Sequence, residues 1–411
     1  MDKRAFDLIN KLVAIKDELQ TFIVEKEELL ELVLVAVLAK KNLFILGKPG
    51  ESKSYAINQF AKRVQGSKYF ETLMHKLMNV SEIFGQLDVT ALEKGQIDVL
   101  TSNTATEANI NFLDELFKSS DACLNTTLKL LNFENIQVQG KQFEPPTLCT
   151  FAASNEIPNF QDEVNDVLRP LYDRLHLKIT TSAIKNPSNY EKALKAKREE
   201  LDKNILNTID LSELKELQEF AKKIEVTKEA DETFWEICNA LKENLKLHVS
   251  DRKKIEYSSI VQAHALLNNR EKVDVEKDFP ILKYYLWEQE SQINQIEKII
   301  SEYIENPLNK MIKTFESIIL NLKEEFIKNI EELEDERTVK KYHRKFTDEL
   351  ANTYNQLSQL TISSKQNDDS KRQVNELLNL IERINRDIIT DYIEKFGVRY
   401  VSIEAIASRM I

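Results

Sequence analysis

A short apolar run followed by a loop containing Gly and Pro is the part of this sequence best suited to binding phosphate. Leu43–Leu46 is apolar, and Gly47–Ser54 reads Gly-Lys-Pro-Gly-Glu-Ser-Lys-Ser. This segment has the spacing of a phosphate-binding loop, G-x-x-x-x-G-K-[ST], except that Ser52 stands where glycine is usual. In such loops, backbone N–H groups at a helix N-terminus surround the phosphates. We therefore expect Lys53 to reach the β- and γ-phosphates and Ser54 to hold Mg²⁺; the alternative is a plain turn between a strand and a helix.

Acidic and amide side chains follow two further apolar runs. Asp114 and Glu115 follow Asn109–Leu113, and Asn155 comes shortly after Leu148–Ala153. Ligands of open α/β sheets bind where the strands end. We therefore expect Asp114 to hold Mg²⁺ through water, Glu115 to orient the attacking water, and Asn155 to bind that water or the γ-phosphate. Taken alone, the two acids could also simply open a helix, and the asparagine could be a turn residue.

These side chains can meet only if a sheet brings the strand ends together. Apolar segments alternate with helical patterns, which favours an α/β core with a parallel sheet covered on both faces. The expected strands are Leu43–Leu46, Tyr69–Leu73, Asn109–Leu113, Leu148–Ala153 and His176–Thr180. Two helices are expected before residue 40, and Asn135–Phe143 alternates like a hairpin that turns at Gly140-Lys141.

Composition narrows the class of protein. The chain has 411 residues, few glycines and prolines, and a net charge of −11. This charge argues against general binding to nucleic acid or to an anionic membrane. The three cysteines lack metal-site spacing, and the first residues do not resemble a signal peptide, so we expect a cytoplasmic protein without disulfides. The five histidines are dispersed, and the only metal predicted is Mg²⁺ with a nucleotide.

Three regions are predicted along the chain. Residues 1–182 form the αβ core with its N-terminal helices, 183–275 a helical lid, and 281–411 a long helical, coiled-coil-like C-terminal domain. Pro187–Asn189 is interpreted as a linker, and the polar segment Thr361–Ser370 as a loop. The C-terminal region is the candidate for partner binding or oligomerisation.

Together, the motifs resemble those of the AAA+ ATPases, most closely the MoxR family and its RavA-like members. The resemblance covers roughly residues 5 to 270; beyond about 280 it does not extend. It rests on the phosphate loop Gly47–Ser54, Ile83–Leu87, Phe112–Lys118, Ala153–Pro158, Leu171–Arg174 and Val249–Arg252.

The resemblance also implies roles for residues that the local sequence alone would not single out. Asn155 matches the sensor-1 position, Arg174 the arginine finger that enters a neighbour's site, and Arg252 sensor 2. Arg169 is close enough in sequence to exchange roles with Arg174. Ser250 is expected to cap the helix that carries Arg252.

By this resemblance the protein is an Mg²⁺-dependent ATPase that works in a ring, usually a hexamer. It would remodel or activate a partner protein, with a von Willebrand factor A domain protein beside it. The predicted catalytic residues are Glu115, Lys53, Asn155, Arg174 and Arg252, and the predicted metal ligands are Ser54 and Asp114. The predicted nucleotide-binding residues are Gly47, Lys48, Pro49, Gly50, Glu51, Ser52, Lys53, Ser54 and Tyr55.

Two departures from the family pattern keep a second function open. Glu51 puts a carboxylate into the phosphate loop, where it would repel ATP unless its side chain points away. Asn111 interrupts an apolar run and requires a partner if it is buried. With Ser52, Glu51 favours the alternative of a nucleotide-switched scaffold with very slow turnover. A DNA-translocating relative is disfavoured by the acidic net charge.

Overall fold

The computed structural model describes residues 2–160, 168–304, 307–330, 333, 335–363 and 368–410. The chain divides into two compact units, Met1–Ile304 and Glu305–Ile411. Each unit has its own apolar core.

Strands occur in the first unit. In chain order they are β1 (Leu43–Leu46), β2 (Val64–Gln65), β3 (Tyr69–Leu73), β4 (Gln86–Leu87), β5 (Val99–Leu100), β6 (Ile110–Asp114), β7 (Ile136–Val138), β8 (Lys141–Phe143), β9 (Cys149–Ser154), β10 (Leu177–Thr180) and β11 (Ile209–Asp210). Five of them form one parallel sheet in the order β10-β1-β9-β6-β3. The predicted parallel α/β sheet is therefore confirmed, and its strands lie within one residue of the predicted bounds.

The central strands are buried because helices cover both faces of the sheet, which is why they read as continuous apolar runs. All four residues of β1 and all six of β9 are buried. Leu46 lies opposite both Ser154 and Thr180, so the strands end at one edge. Whatever follows β1, β9, β6 and β10 is thus brought to that edge.

The helices of the first unit precede, connect and follow these strands. They are α1 (Lys3–Gln20), α2 (Glu27–Ala39), α3 (Lys53–Ala61), α4 (Val80–Phe84), α5 (Val89–Glu93), α6 (Asp121–Leu131), α7 (Arg169–Asp173), α8 (Pro187–Arg198), α9 (Leu211–Ala221), α10 (Lys228–Leu245), α11 (Asp251–Leu267), α12 (Val275–Asp278), α13 (Lys283–Leu286) and α14 (Ile293–Ile304). The two helices expected before residue 40 are α1 and α2.

Pro187 begins helix α8, so the predicted linker at 187–189 is wrong. Asn186 caps this helix, and its side chain accepts a hydrogen bond from the Ser188 N–H at 2.9 Å. Proline is favoured at the first helical position because the N–H that it lacks would have no helical partner there. The proline therefore marks a helix start.

Two antiparallel hairpins lie outside the sheet. β7 and β8 form the hairpin predicted for Asn135–Phe143, whereas the β4–β5 pair around α5 has no counterpart in the sequence prediction. A salt bridge joins the hairpins, with Lys141 Nζ 2.9 Å from Asp98 Oδ1. Separately, the short strand β11 pairs with β2 in parallel.

The first unit extends further along the chain than expected. The sequence prediction starts the C-terminal domain at Ile281, but the division between the units follows Ile304. The reason is that α14 packs on α10, and its residues Ile296 and Ile300 are buried in the first core. The lid boundaries 183–275 stay a prediction.

The second unit is helical, as predicted. Its helices are α15 (Pro307–Ile330), α16 (Glu336–Ser363), α17 (Asp368–Ile388) and α18 (Ile403–Ala407). The apolar stripe of α17, including Val374, Ile381 and Ile388, is buried within this unit. Of the predicted loop Thr361–Ser370, both ends are helical, and 364–367 lie outside the described residues.

Candidate nucleotide-binding site

The loop from β1 to α3 begins at a glycine that other side chains approach closely. A Cβ atom on Gly47 would lie 2.0 Å from Thr181 Oγ1 and 2.4 Å from Glu51 Oε2, so a larger residue would displace both groups. Gly50 has a φ of +85°. Ser52, which replaces the usual glycine, has a φ of 62°. Serine thus adopts the left-handed conformation that glycine would provide, at a cost of about 1 kcal/mol.

Backbone donors of this loop are free to bind an anion. The N–H groups of residues 50–54 have no acceptor among the described residues. Lys53 is 7% exposed, and its Nζ donates to the carbonyl oxygens of Gly47 (2.5 Å) and Lys48 (3.1 Å). A row of free N–H groups at a helix start, with an ammonium group beside it, is suited to phosphate.

Glu51 turns its carboxylate toward the strand edge. Its Oε2 accepts hydrogen bonds from the Lys48 N–H (3.0 Å) and from the Thr181 hydroxyl (2.8 Å). Burial lowers the pKa of nearby Lys26, and the charge of Glu51 opposes that shift. The carboxylate therefore closes the first turn of the loop and has its own donors.

The acidic pair lies at the end of β6. Asp114 Oδ1 accepts the N–H of Glu115 at 3.0 Å, and Glu115 has a φ of 51°. Glu115 Oε2 is buried and forms a salt bridge with Lys118, whose Nζ lies 3.3 Å away, but accepts no hydrogen bond from the described residues. A strained backbone at such a position is typical of functional residues. This carboxylate oxygen thus has an ion-pair partner in Lys118 and no hydrogen bond from the described residues.

Asn155 follows β9, between the phosphate loop and the acidic pair. Its side chain is exposed, and the carbonyl of the preceding residue, Ser154, accepts the Gly47 N–H at 3.0 Å. Because β9 lies between β1 and β6, the structure brings Lys53, Asp114 and Asn155 to one edge of the sheet.

Asn111, the second departure, lies in the middle of β6. It is fully buried, and neither polar atom of its amide has a partner among the described residues. A buried, unpaired amide lowers the stability of the fold. Asn111 does not replace any residue of the candidate nucleotide-binding site.

A cavity of about 220 Å³ adjoins the loop on the side of Tyr55. The rings of Tyr55 and Phe22 lie 6.3 Å apart in a T-shaped arrangement. Its lining residues are Phe22, Ile23, Val24, Lys26, Gly50, Glu51, Ser52, Tyr55, Ser182, Ala183, Ile184 and Ala193. Sequence reasoning named only the loop residues and Tyr55, because the other walls come from the α1–α2 connection and the segment after β10.

The predicted arginines lie elsewhere in the first unit. Arg174 donates to Asn132 Oδ1 (2.5 Å) and Asp173 Oδ2 (2.7 Å), whereas Arg169 is exposed. Arg252 is exposed on α11, which Ser250 caps as expected by accepting the Lys253 N–H at 3.3 Å.

Arg169 opens onto a second cavity of about 750 Å³. Its lining residues are Phe160, Arg169, Pro170, Tyr172, Asp173, Lys246, Leu247, His248, Ser250, Lys253, Glu288 and Gln292. No residue of the phosphate loop, all of which is described, belongs to this set. Arg169 and the phosphate loop thus border different cavities.

Comparison with known proteins decides the family. Residues 10–219, about half of the chain, match a family described as the MoxR domain of MoxR-vWA-beta-propeller ternary systems. This chain belongs to the MoxR family of AAA+ ATPases. An AAA lid domain matches residues 229–300, which ends close to the end of the first unit.

Two uncharacterized proteins of Methanocaldococcus jannaschii are relatives of this MoxR chain. One is 31% identical over 78% of this chain and 81% of its own length, and the other is 31% identical over 69% and 74%. The crystal structure of a candidate ATPase from Cytophaga hutchinsonii superposes with a TM-score of 0.62. At 16% identity, covering 74% of this chain and 97% of that protein, it supports the fold.

Among the described helices of this MoxR chain, none is both long and apolar enough to cross a bilayer.

Proposed function

We propose that this MoxR chain hydrolyses ATP with Mg²⁺ in a ring of identical copies and uses the cycle to remodel or activate a partner protein. One observation carries the enzymatic part. The free N–H groups of residues 50–54 and the Lys53 ammonium lie at the same edge of the sheet as Asp114, which ends β6, and Glu115, which follows it. This arrangement joins an anion cradle to a carboxylate able to orient water.

Each residue has a distinct task in this proposal. The loop N–H groups and Lys53 hold the β- and γ-phosphates, and Tyr55 forms part of the wall beside the nucleoside. Glu115 orients water toward the γ-phosphate, and Asn155 donates a hydrogen bond to that water or to the phosphate. Mg²⁺, when bound with the nucleotide, neutralises phosphate charge, and Ser54 and Asp114 are the residues that would hold it.

A site shared between copies is supported by where the arginines lie. Arg169 lines the second cavity, Arg174 follows the helix that forms one of its walls, and Arg252 lies beside its residues Ser250 and Lys253. Arginines in or near a cavity that the phosphate loop does not border can stabilise transferring phosphate on a neighbouring chain. The hexameric state follows from the family resemblance.

Partner choice is the least constrained part. The matching family is described from systems that pair MoxR with a vWA protein, which supports such a partner here. The second unit lies outside the two family matches, so it is our candidate for partner binding. Deletion of residues 305–411 should abolish capture of the partner; unchanged capture and unchanged cellular function would contradict this role. A cytoplasmic location remains a prediction from the sequence.

The scaffold alternative loses its main support. Ser52 adopts the conformation that glycine would provide, and Glu51 has two donors of its own. Neither residue therefore requires slow turnover.

Steady-state hydrolysis of ATP by the wild type and by Lys53→Ala and Glu115→Gln tests the enzymatic proposal. We expect turnover by the wild type, loss of nucleotide binding in Lys53→Ala, and binding without turnover in Glu115→Gln. Turnover that a vWA partner increases would favour remodelling. A wild type that binds ATP but hydrolyses it no faster than Glu115→Gln would favour the scaffold.

A further inference from the structure

We infer that Lys253, rather than Arg252 beside it, is the cation that α11 offers to the phosphates of a nucleotide bound on a second copy of this chain. This inference rests on the proposed function, since it assigns a residue to the shared site. Motif matching nominates Arg252, which precedes Lys253 directly. The structure separates the two, because Lys253 lines the second cavity and Arg252 does not.

Lys253 is a buried cation without a carboxylate partner. It is 7% exposed, and no acidic oxygen among the described residues lies within salt-bridge distance of its Nζ. The nearest aromatic face is that of Tyr285, whose centroid is 5.9 Å from the Nζ. Burying an ammonium group costs free energy unless an anion lies beside it. We therefore expect an anion to bind in the cavity next to Lys253.

A second lysine behind it strengthens this argument. Lys178 on β10 is fully buried, and its Nζ donates to the carbonyl oxygen of Trp287 at 3.2 Å. Burial, together with the charge of Lys253, holds the pKa of Lys178 well below its usual range. An anion in the cavity would relieve the repulsion between these two groups.

The other charges of the cavity leave an excess of cations. Arg169 and Lys246 line it with Lys253, and its acids are Asp173 and Glu288. Asp173 already accepts from Arg174 at 2.7 Å. The N-terminus of the 17-residue helix α11, which is its positive end, also lies here, since its cap Ser250 lines the cavity. Helix dipole, lysine and arginine together favour phosphate.

We assign this phosphate to another molecule, because the chain's own phosphate loop borders the smaller cavity near Tyr55 and does not line the second cavity. A second copy carries the same loop at the edge of its sheet. Contact between that loop and the second cavity is a head-to-tail interface, the type that generates rings. The other anion that could fit is a carboxylate side chain of the neighbouring copy. The experiment distinguishes this carboxylate from the phosphate of a nucleotide.

The experiment measures hydrolysis by Lys253→Met alone and mixed with Glu115→Gln. Lys253→Met retains its own Glu115, and Glu115→Gln retains its own Lys253, so mixed assemblies contain some complete sites. Lys253→Met alone should lose hydrolysis about 100-fold. A 1:1 mixture should recover about a quarter of wild-type activity, from interfaces where the two intact groups meet.

Matched variants control for folding and charge. Lys254→Met changes the next lysine, which lies 3.5 Å from Asp251, and should keep wild-type activity and melting temperature. Lys253→Arg should restore most of the activity lost in Lys253→Met. With ATP present, Lys253→Met should assemble more weakly than the wild type, whereas without nucleotide the two should assemble equally. If Lys253 instead binds a carboxylate of the neighbouring chain, the variant should assemble more weakly in both conditions.

Three results would overturn the inference. The first is a mixture that assembles but does not recover ATP hydrolysis. The others are a loss of hydrolysis in Lys254→Met equal to that in Lys253→Met, and a loss in Arg252→Met larger than that in Lys253→Met. A wild type that stays monomeric with ATP would contradict the proposed function as well. An assembled, active wild type with an unaffected Lys253→Met would contradict the inference alone.

Discussion

Glu51 is an acidic residue within a loop suited to phosphate, and its contacts explain how the two are compatible. The carboxylate bridges the N–H of Lys48 and the hydroxyl of Thr181, the residue that follows β10. Hydrogen bonds to a charged group contribute about 1.5–3 kcal/mol. Glu51 therefore acts as a brace between the phosphate loop and the edge strand.

Removing this brace should weaken nucleotide binding. We expect Glu51→Ala to raise the Kd for ATP about tenfold, because the loop loses both hydrogen bonds, equivalent to about 1.4 kcal/mol. Glu51→Gln keeps an acceptor oxygen and should stay within about threefold of the wild type. Titration with a fluorescent ATP analogue measures both values, and Thr181→Ser serves as the control that retains the hydroxyl. Tighter binding by both Glu51 variants would show that charge repulsion dominates.

The local sequence identifies the residues of the site that belong to a short motif. It does not identify residues that are distant in sequence and reach the site only through folding. Asp114 follows an apolar run directly, Asn155 comes two residues after one, and Lys53 ends the loop after another, so their place near strand ends could be predicted. The contact of Thr181 with Glu51 joins residues 130 positions apart, and nothing in the sequence near either residue indicates it. The same holds for buried Lys253, since exposure depends on what packs over a helix.

At the scale of elements, the five strands of the parallel sheet are predicted best, because a buried strand is a short apolar run whatever lies beside it. The two-residue strands β2, β4, β5 and β11 carry no such pattern and have no counterpart in the prediction. The apolar pattern of α14 does not predict which of the two units this helix belongs to. Its amphipathic spacing resembles that of α15, and periodicity does not tell which core a helix faces. Only the packing of Ile296 and Ile300 assigns α14 to the first unit.

Helices α2, α11 and α12 are joined through one histidine. His264 Nδ1 lies 2.7 Å from Asp278 Oδ1, and its Nε2 lies 3.2 Å from Glu31 Oε1. Burial lowers the pKa of His264, but the carboxylates of Asp278 and Glu31 outweigh it, and the net shift is upward. The protonated ring therefore stabilises this junction of helices.

The sign of this shift predicts a pH dependence of stability. A raised pKa in the folded state contributes stability that is fully present below the ordinary histidine pKa and is lost as pH rises through the raised one. We expect the melting temperature of the wild type to exceed that of His264→Gln by more at about pH 6 than at about pH 8. Buried His176 has a lowered pKa and the opposite dependence, but it is common to both proteins and cancels in the difference. A difference that is constant or grows with pH would contradict the assignment.

At the scale of the whole molecule, the two units have separate cores. The first core extends to α14, and that of the second unit begins in α15. A chain that ends at Ile304 should therefore fold and bind ATP with a Kd within about threefold of the full chain. Circular dichroism of residues 305–411 alone should show a helical protein. An insoluble or unfolded 1–304 chain would contradict the independence of the units.

The most direct test of a shared ATPase site is hydrolysis per chain as a function of protein concentration, with molar mass measured by light scattering in the same samples. A site completed by a neighbour predicts that the rate per chain rises with the fraction of assembled protein, and that Arg174→Ala assembles but loses turnover. A monomer that hydrolyses ATP at a constant rate per chain would contradict the account.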